Sequence, residues 1–201
     1  MSGQSLLPGF EAAAVPTDRL FFALFPDKAT AGEIALLAEK LRQQHGLKGK
    51  PLKTERFHIT LHHLGDYAGL PKGIVDSALQ AASGMSWPRF GVAFDRAESF
   101  MSMPRNRPFV LRAGEGEGGE KLMRFQQALG QAMRLAGLGR WAKAGYTPHV
   151  TLLYDDRGVA GQAVPTLAWT AQEFVLVHSL LGENRHERLA SWPLVAKTSE
   201  D

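Results

Sequence analysis

The chain has 201 residues, 44% of them hydrophobic and 21% charged, with a formal net charge of +3. This is an ordinary globular composition, long enough for one large domain or two small lobes sharing a core, and it excludes a disordered or low-complexity chain. The absence of cysteine excludes disulfides, thiolate nucleophiles and cysteine-ligated zinc or iron–sulfur sites, so any chemistry runs on other groups.

Residues 1–17 read as a flexible tail without the pattern of a secretory signal, and no apolar run reaches the roughly 18 residues of a spanning helix. A reducing cytoplasm with no membrane association is the expected setting. Residues 19–25 read as a buried strand stopped at Pro26-Asp27, and 29–45 as a helix with Ile34, Leu37, Ala38 and Leu41 on one stripe and Gly46 beyond it. A basic loop carrying Lys48, Lys50, Lys53 and Arg56 leads into a strand over 57–64, stopped by Gly65-Asp66. A second helix is predicted over 71–82, between Pro71 and Gly84.

Residues 90–97 alternate as a strand, with 108–113 as its neighbour across a turn at 102–107. The glycine- and glutamate-rich stretch 114–119 reads as a linker, since no nucleotide-binding fingerprint accompanies it. The clearest helix spans 120–136, with Leu122, Phe125, Leu129, Ala132 and Met133 on one face. Turns then lead through Pro148 to a strand over 149–154, and strands over 173–181 and 189–195 close the chain before a tail at 198–201. Helices interleaved with hairpin-like strand pairs predict an α+β fold. The order helix, basic turn, histidine-bearing strand occurs over 19–66 and again over 120–156, which predicts two related lobes within one domain over 18–197.

The feature that carries chemistry is a repeated tetrapeptide, His58-Ile59-Thr60-Leu61 and His149-Val150-Thr151-Leu152. In a strand, alternate side chains share a face, so each histidine points with its threonine while the apolar pair points into a core. Two such strands facing one another across a groove offer two imidazoles and two hydroxyls to one ligand, an acid–base pair with anion-binding donors. By the same alternation His62 joins the His58 face and His63 falls on the other. Cationic clusters lie near both motifs: Arg105, Arg107 and Arg112 in the middle of the chain, and Arg134, Arg140 and Lys143 ahead of His149. They suit a polyanionic ligand.

These motifs, in this order and spacing, resemble those of the 2H phosphoesterase superfamily, and within it the bacterial RNA 2′,3′-cyclic phosphodiesterase, or 2′-5′ RNA ligase-like, group. The resemblance rests on Arg19-Leu20-Phe21-Phe22-Ala23-Leu24, on Phe57-His58-Ile59-Thr60-Leu61-His62-His63-Leu64-Gly65, on Pro148-His149-Val150-Thr151-Leu152 and on Trp192-Pro193-Leu194. It implies a bilobal, LigT-like α+β fold, with antiparallel sheets lining a central groove, helices outside, and no metal or organic cofactor. It also implies hydrolysis of RNA 2′,3′-cyclic phosphate ends to 2′-phosphates, with His58 as general acid, His149 as general base, and Thr60 and Thr151 holding the phosphate. His62, Arg56, Arg105, Arg107 and Tyr154 are candidate RNA contacts. The expected partner is RNA with a cyclic phosphate end or a small cyclic nucleotide, without an obligate protein partner, the chain acting as a monomer. Many relatives carry an arginine where this chain has Leu153-Tyr154, which bears on the fine specificity. ATP-independent 2′-5′ ligation, a small cyclic phosphate substrate, a non-catalytic RNA-binding module and a di-histidine metal site completed by Asp155 or Asp156 remain alternatives.

Overall fold

Strand alternation divides β1 (Asp18–Leu24) between two environments: Leu20, Phe22 and Leu24 enter the main core, while Phe21 and Ala23 join a small cluster with Val175 and Val177. The computed structural model describes residues 14–114, 117–183 and 185–196; most of the expected tails and part of the 114–119 linker lie outside them. After β1 come α1 (Lys28–Gln44), β2 (Ile59–Tyr67), α2 (Lys72–Ser83), β3 (Phe90–Ser99) and β4 (Arg107–Arg112). Then follow α3 (Glu117–Leu135), β5 (His149–Asp155), β6 (Gln162–Ala171), β7 (Glu173–Leu180) and β8 (Arg185–Pro193). Short 3₁₀ turns at Thr54–Arg56 and Gly139–Trp141 precede β2 and β5.

The strands form one sheet in the order β6-β3-β4-β5-β2-β1-β7-β8, each neighbour antiparallel. The sequence predicts motif strands that face one another across a groove; instead they are neighbours at the middle of the sheet, joined by the single pairing Ile59↔Val150. So short a junction leaves two four-stranded halves, β2-β1-β7-β8 and β5-β4-β3-β6. The units β1-α1-turn-β2 and β4-α3-turn-β5 occupy equivalent places in them, which is the internal repeat predicted from the order of elements.

Helices cover one face, and Phe22, Phe57, Phe94, Phe109, Phe125 and Phe174 are fully buried there, each contributing about 1.5–3 kcal/mol by removal from water. The α1 helix starts where the Asp27 side chain accepts from the Thr30 N–H at 2.9 Å, a cap that contributes about 1 kcal/mol. Gly46, at φ +60, supplies the left-handed residue that ends it.

The structure departs from the sequence reading in three ways: a strand it missed, element starts it misplaced and a β-bulge. The strand β6 escapes a periodicity reading because Pro165 and polar residues interrupt its alternation; it pairs only with β3 at the sheet edge, where a missing N–H is tolerated. Residues 117–119 belong to α3 rather than to a linker, and β8 begins four residues earlier than the strand read over 189–195. The third change is a β-bulge. The pairing of β1 with β2 steps from Phe22↔His62 to Ala23↔Thr60, leaving Leu61 as an extra residue. An extra residue inverts the alternation beyond it. His62 therefore turns into the helix side, 5% exposed, and His63 emerges on the open face, the reverse of the strand alternation read from sequence. The second motif bulges at the same place: β4 with β5 steps from Phe109↔Leu153 to Val110↔Thr151 around Leu152.

Candidate active site

Both Ile59 and Val150 are fully buried in the helix-side core, so the flanking residues His58, Thr60, His149 and Thr151 face the uncovered side. The antiparallel register through Ile59↔Val150 sets His58 beside Thr151 and Thr60 beside His149. Each imidazole thus lies next to the other motif's hydroxyl, and all four groups meet over the middle of the sheet. Both threonines are half-buried.

The two histidines are held in the same way. His58 Nδ1 lies 2.7 Å from the Arg56 carbonyl, and His149 Nδ1 lies 2.8 Å from the Thr147 carbonyl. A carbonyl only accepts, so each Nδ1 carries the hydrogen and each Nε2 is left for a ligand, as base when neutral and as donor when protonated. The carbonyl comes in both cases from the residue two positions earlier; Arg56 ends the 3₁₀ turn before β2, and Thr147 lies in the segment between the 3₁₀ turn at Gly139–Trp141 and β5.

The walls of the two histidines differ. Phe21 stacks on the His58 ring with centroids 4.9 Å apart, Phe25 tilts against it at 5.8 Å, and His186 of β8 meets it edge-on at 5.4 Å. Phe100 meets His149 edge-on at 4.9 Å, and Arg112, cross-strand from His149, pairs with Glu98 at 2.9 Å. Burial pushes His58 down to about 4, against the Arg56 carbonyl, with the charges of His186 and His149 adding to the depression. His149 is also lowered by burial, against the Thr147 carbonyl. His186 is pushed down to about 4 by burial and then by the Arg56 charge. The groove by itself therefore favours neutral imidazoles.

The remaining sequence candidates separate. Arg56 is half-buried beside the His58 anchor. His62 is removed from the groove: its Nε2 meets the Gln126 carbonyl of α3 at 2.9 Å. Arg107 starts β4 five residues before Arg112, about 17 Å along the strand from the level of His149, and its guanidinium donates to the Asp156 carbonyl. Arg105 is exposed in the preceding turn. Tyr154 is 43% exposed on the open face, at the position matching His63 in the other motif, and lies within electrostatic reach of Arg19. Sequence reasoning passes over Phe21, Phe25, Phe100 and His186 as site residues and names Arg112 only within a cationic cluster, because their place beside the histidines depends on tertiary packing and register.

Asp155 is turned away from the histidines. Its Oδ2 accepts from the N–H groups of Lys48 and Gly49 at 2.6 and 2.7 Å, and its Oδ1 from Arg157 N–H at 2.8 Å. Burial alone would raise its pKa, but these donors hold it below the usual carboxylate range. The loop they clamp passes so close to β5 that a Cβ on Gly49 would sit 1.9 Å from the Tyr154 carbonyl oxygen, a space only glycine fits. Asp156 accepts from Asn106 N–H. Neither carboxylate completes a site with His58 and His149, and among the described residues no three His, Cys, Asp or Glu side chains gather as metal ligands. Among those residues no helix is long and apolar enough to cross a membrane.

The family model of the 2′-5′ RNA ligase superfamily matches residues 26–183. No curated protein sequence matches the chain. Among solved structures, Escherichia coli LigT in its apo form is similar with a TM-score of 0.63 and 23% identity, over 90% of this chain and 99% of that one. The protein TT0787 of Thermus thermophilus is similar with a TM-score of 0.67 and 22% identity, over 90% of this chain and 100% of that one. LigT has also been crystallised with 3′-AMP, in a form 24% identical to this chain over 90% of it and 99% of LigT, with a TM-score of 0.61.

Proposed function

The chain belongs to the 2′-5′ RNA ligase superfamily of two-histidine phosphoesterases, and from that membership we propose that it hydrolyses RNA 2′,3′-cyclic phosphate ends to 2′-phosphates. The observation that carries the reading is the paired anchoring of His58 and His149 through Nδ1, which leaves two Nε2 atoms and two threonine hydroxyls on one face. Binding alone has no need of two titrating groups presented alike; acid–base chemistry at one phosphorus does.

In this mechanism His149 Nε2 takes a proton from water as the water oxygen bonds to phosphorus. The bond from phosphorus to O3′ breaks, and His58 Nε2 donates its proton to that oxygen. The Thr60 and Thr151 hydroxyls donate to the nonbridging oxygens, where charge redistributes in the transition state. The phosphate anion of the substrate brings a negative charge that favours the protonated form of His58. A 5′-hydroxyl in place of water would run the same displacement toward a 2′-5′ linkage. The crystallisation of LigT with 3′-AMP supports a nucleotide as the kind of ligand this chain takes.

The test is turnover, with EDTA present, of a short RNA ending in a 2′,3′-cyclic phosphate. Wild type is expected to yield the 2′-phosphate, and His58→Ala and His149→Ala are each expected to lose about 10²- to 10⁴-fold in rate. Tight RNA binding without turnover would replace the hydrolase by a binding module.

A further inference from the structure

In an in-line displacement the attacking and leaving oxygens stand on opposite sides of phosphorus. The nucleoside that keeps the leaving oxygen therefore lies on the side of the general acid. A cavity of about 860 Å³ opens on the His58 side of the groove, a size ordinary for a ligand pocket. Its wall nearest the histidine is built from Phe25, which tilts on the His58 ring, from His186, which meets that ring edge-on, and from Arg56, whose carbonyl anchors His58 Nδ1.

The cavity is cationic. Lys28, Lys53, Arg56, Arg185 and Arg188 line it against Glu55 and Glu183. Arg188 is tied to Glu173 at 2.5 Å with its guanidinium 4.8 Å above the Phe25 ring, and Arg185 is tied to Glu187 at 3.0 Å. Lys28 and Lys53 are exposed and form no ion pair among the described residues. Both ring nitrogens of His186 are buried with no hydrogen-bond partner among the described residues. Cations beside an aromatic face and a neutral imidazole match what a single nucleic acid strand presents, charged phosphates alternating with flat bases.

We infer that this cavity seats the nucleotides on the 5′ side of the reacting phosphate, so that the protein selects an RNA strand over a cyclic mononucleotide. The inference rests on the phosphodiesterase reading and places the leaving O3′ on the His58 side.

Calorimetric titration of the full chain with adenosine 2′-phosphate and with the trinucleotide ApApA ending in a 2′-phosphate tests it. The trinucleotide is expected to bind roughly tenfold tighter, the gain of one or two charge-assisted phosphate contacts. Its log K should fall more steeply with log salt by about 0.7 for each added phosphate contacted. The double variant Lys28→Ala/Lys53→Ala should lose most of that advantage, and Lys28→Arg/Lys53→Arg should keep it. Equal affinity for the two ligands in wild type, or an advantage undiminished in the alanine variant, overturns the inference. Because the readout is affinity, an intact trinucleotide advantage without turnover of a cyclic phosphate RNA would overturn the hydrolase reading alone and leave the strand-binding cavity standing.

Discussion

Ile59 and Val150 form the only strand pairing between the two halves of the sheet among the described residues, and that one pair sets the relative position of both histidines. Both side chains are fully buried on the helix side, so the geometry of the open face is fixed from beneath. Ile59→Ala is expected to cost about 2–5 kcal/mol of stability by leaving a cavity, and to lower turnover by more than the loss of folded protein accounts for. Ile59→Val, which keeps the pairing, should cost about 1 kcal/mol and retain activity. Denaturant titrations alongside kcat measurements check both; full specific activity in a folded Ile59→Ala protein would refute the positional role.

If the two imidazoles act on one phosphorus as a unit, their losses do not add. The double variant His58→Ala/His149→Ala should be little slower than the slower single variant. Single-turnover rates on a cyclic phosphate RNA measure this, and multiplicative losses would mean that the two act in separate steps.

Thr60→Val and Thr151→Val remove a hydroxyl at nearly constant volume. Each is expected to lower kcat about 10²- to 10³-fold, the effect of losing one donor to a developing charge, with a smaller change in KM. Serine at either position should restore most of the rate. A valine variant with wild-type kcat would reduce that threonine to a strand residue.

Burial lowers both imidazoles below the ordinary value near 6.5, His58 to about 4. In the free protein the half-protonated pair is therefore populated on the acid side of 6.5, with apparent pKa values that belong to the pair. The profile of kcat/KM should peak below pH 6.5 and fall toward pH 8, whereas kcat should hold to higher pH because bound phosphate raises the pair. A kcat/KM that rises between pH 6.5 and 8 would contradict this.

The same shifts link stability to pH. For His58 and His186, both at about 4 when folded, the unfolded chain takes up its protons first as pH falls. Their contribution is whole above about pH 6.5 and is lost progressively down to about pH 4. The Tm should drop across that window, and His186→Leu should flatten the drop. An unchanged slope in that variant would show that His186 does not titrate as its burial implies.

The sequence by itself determined the chemistry on offer, because His58, Thr60, His149 and Thr151 recur in a local pattern that any strand turns to one face. It also determined the α+β class, the three helices and the order that repeats in the two halves, since periodicity and terminating glycines are local signals. Tertiary structure decided the rest. Whether the motif strands pair or only face each other, which of His62 and His63 reaches the groove, and which aromatic and charged residues surround the histidines all depend on register between strands distant in sequence. An extra residue at Leu61 turns His62 to the helix side and His63 to the open face, a second register step follows at Leu64, and no periodicity within the strand records either step. The place of His186 beside His58, with ring centroids 5.4 Å apart although β8 stands three strands from β2, likewise depends on how the twisted sheet curls and not on any local preference.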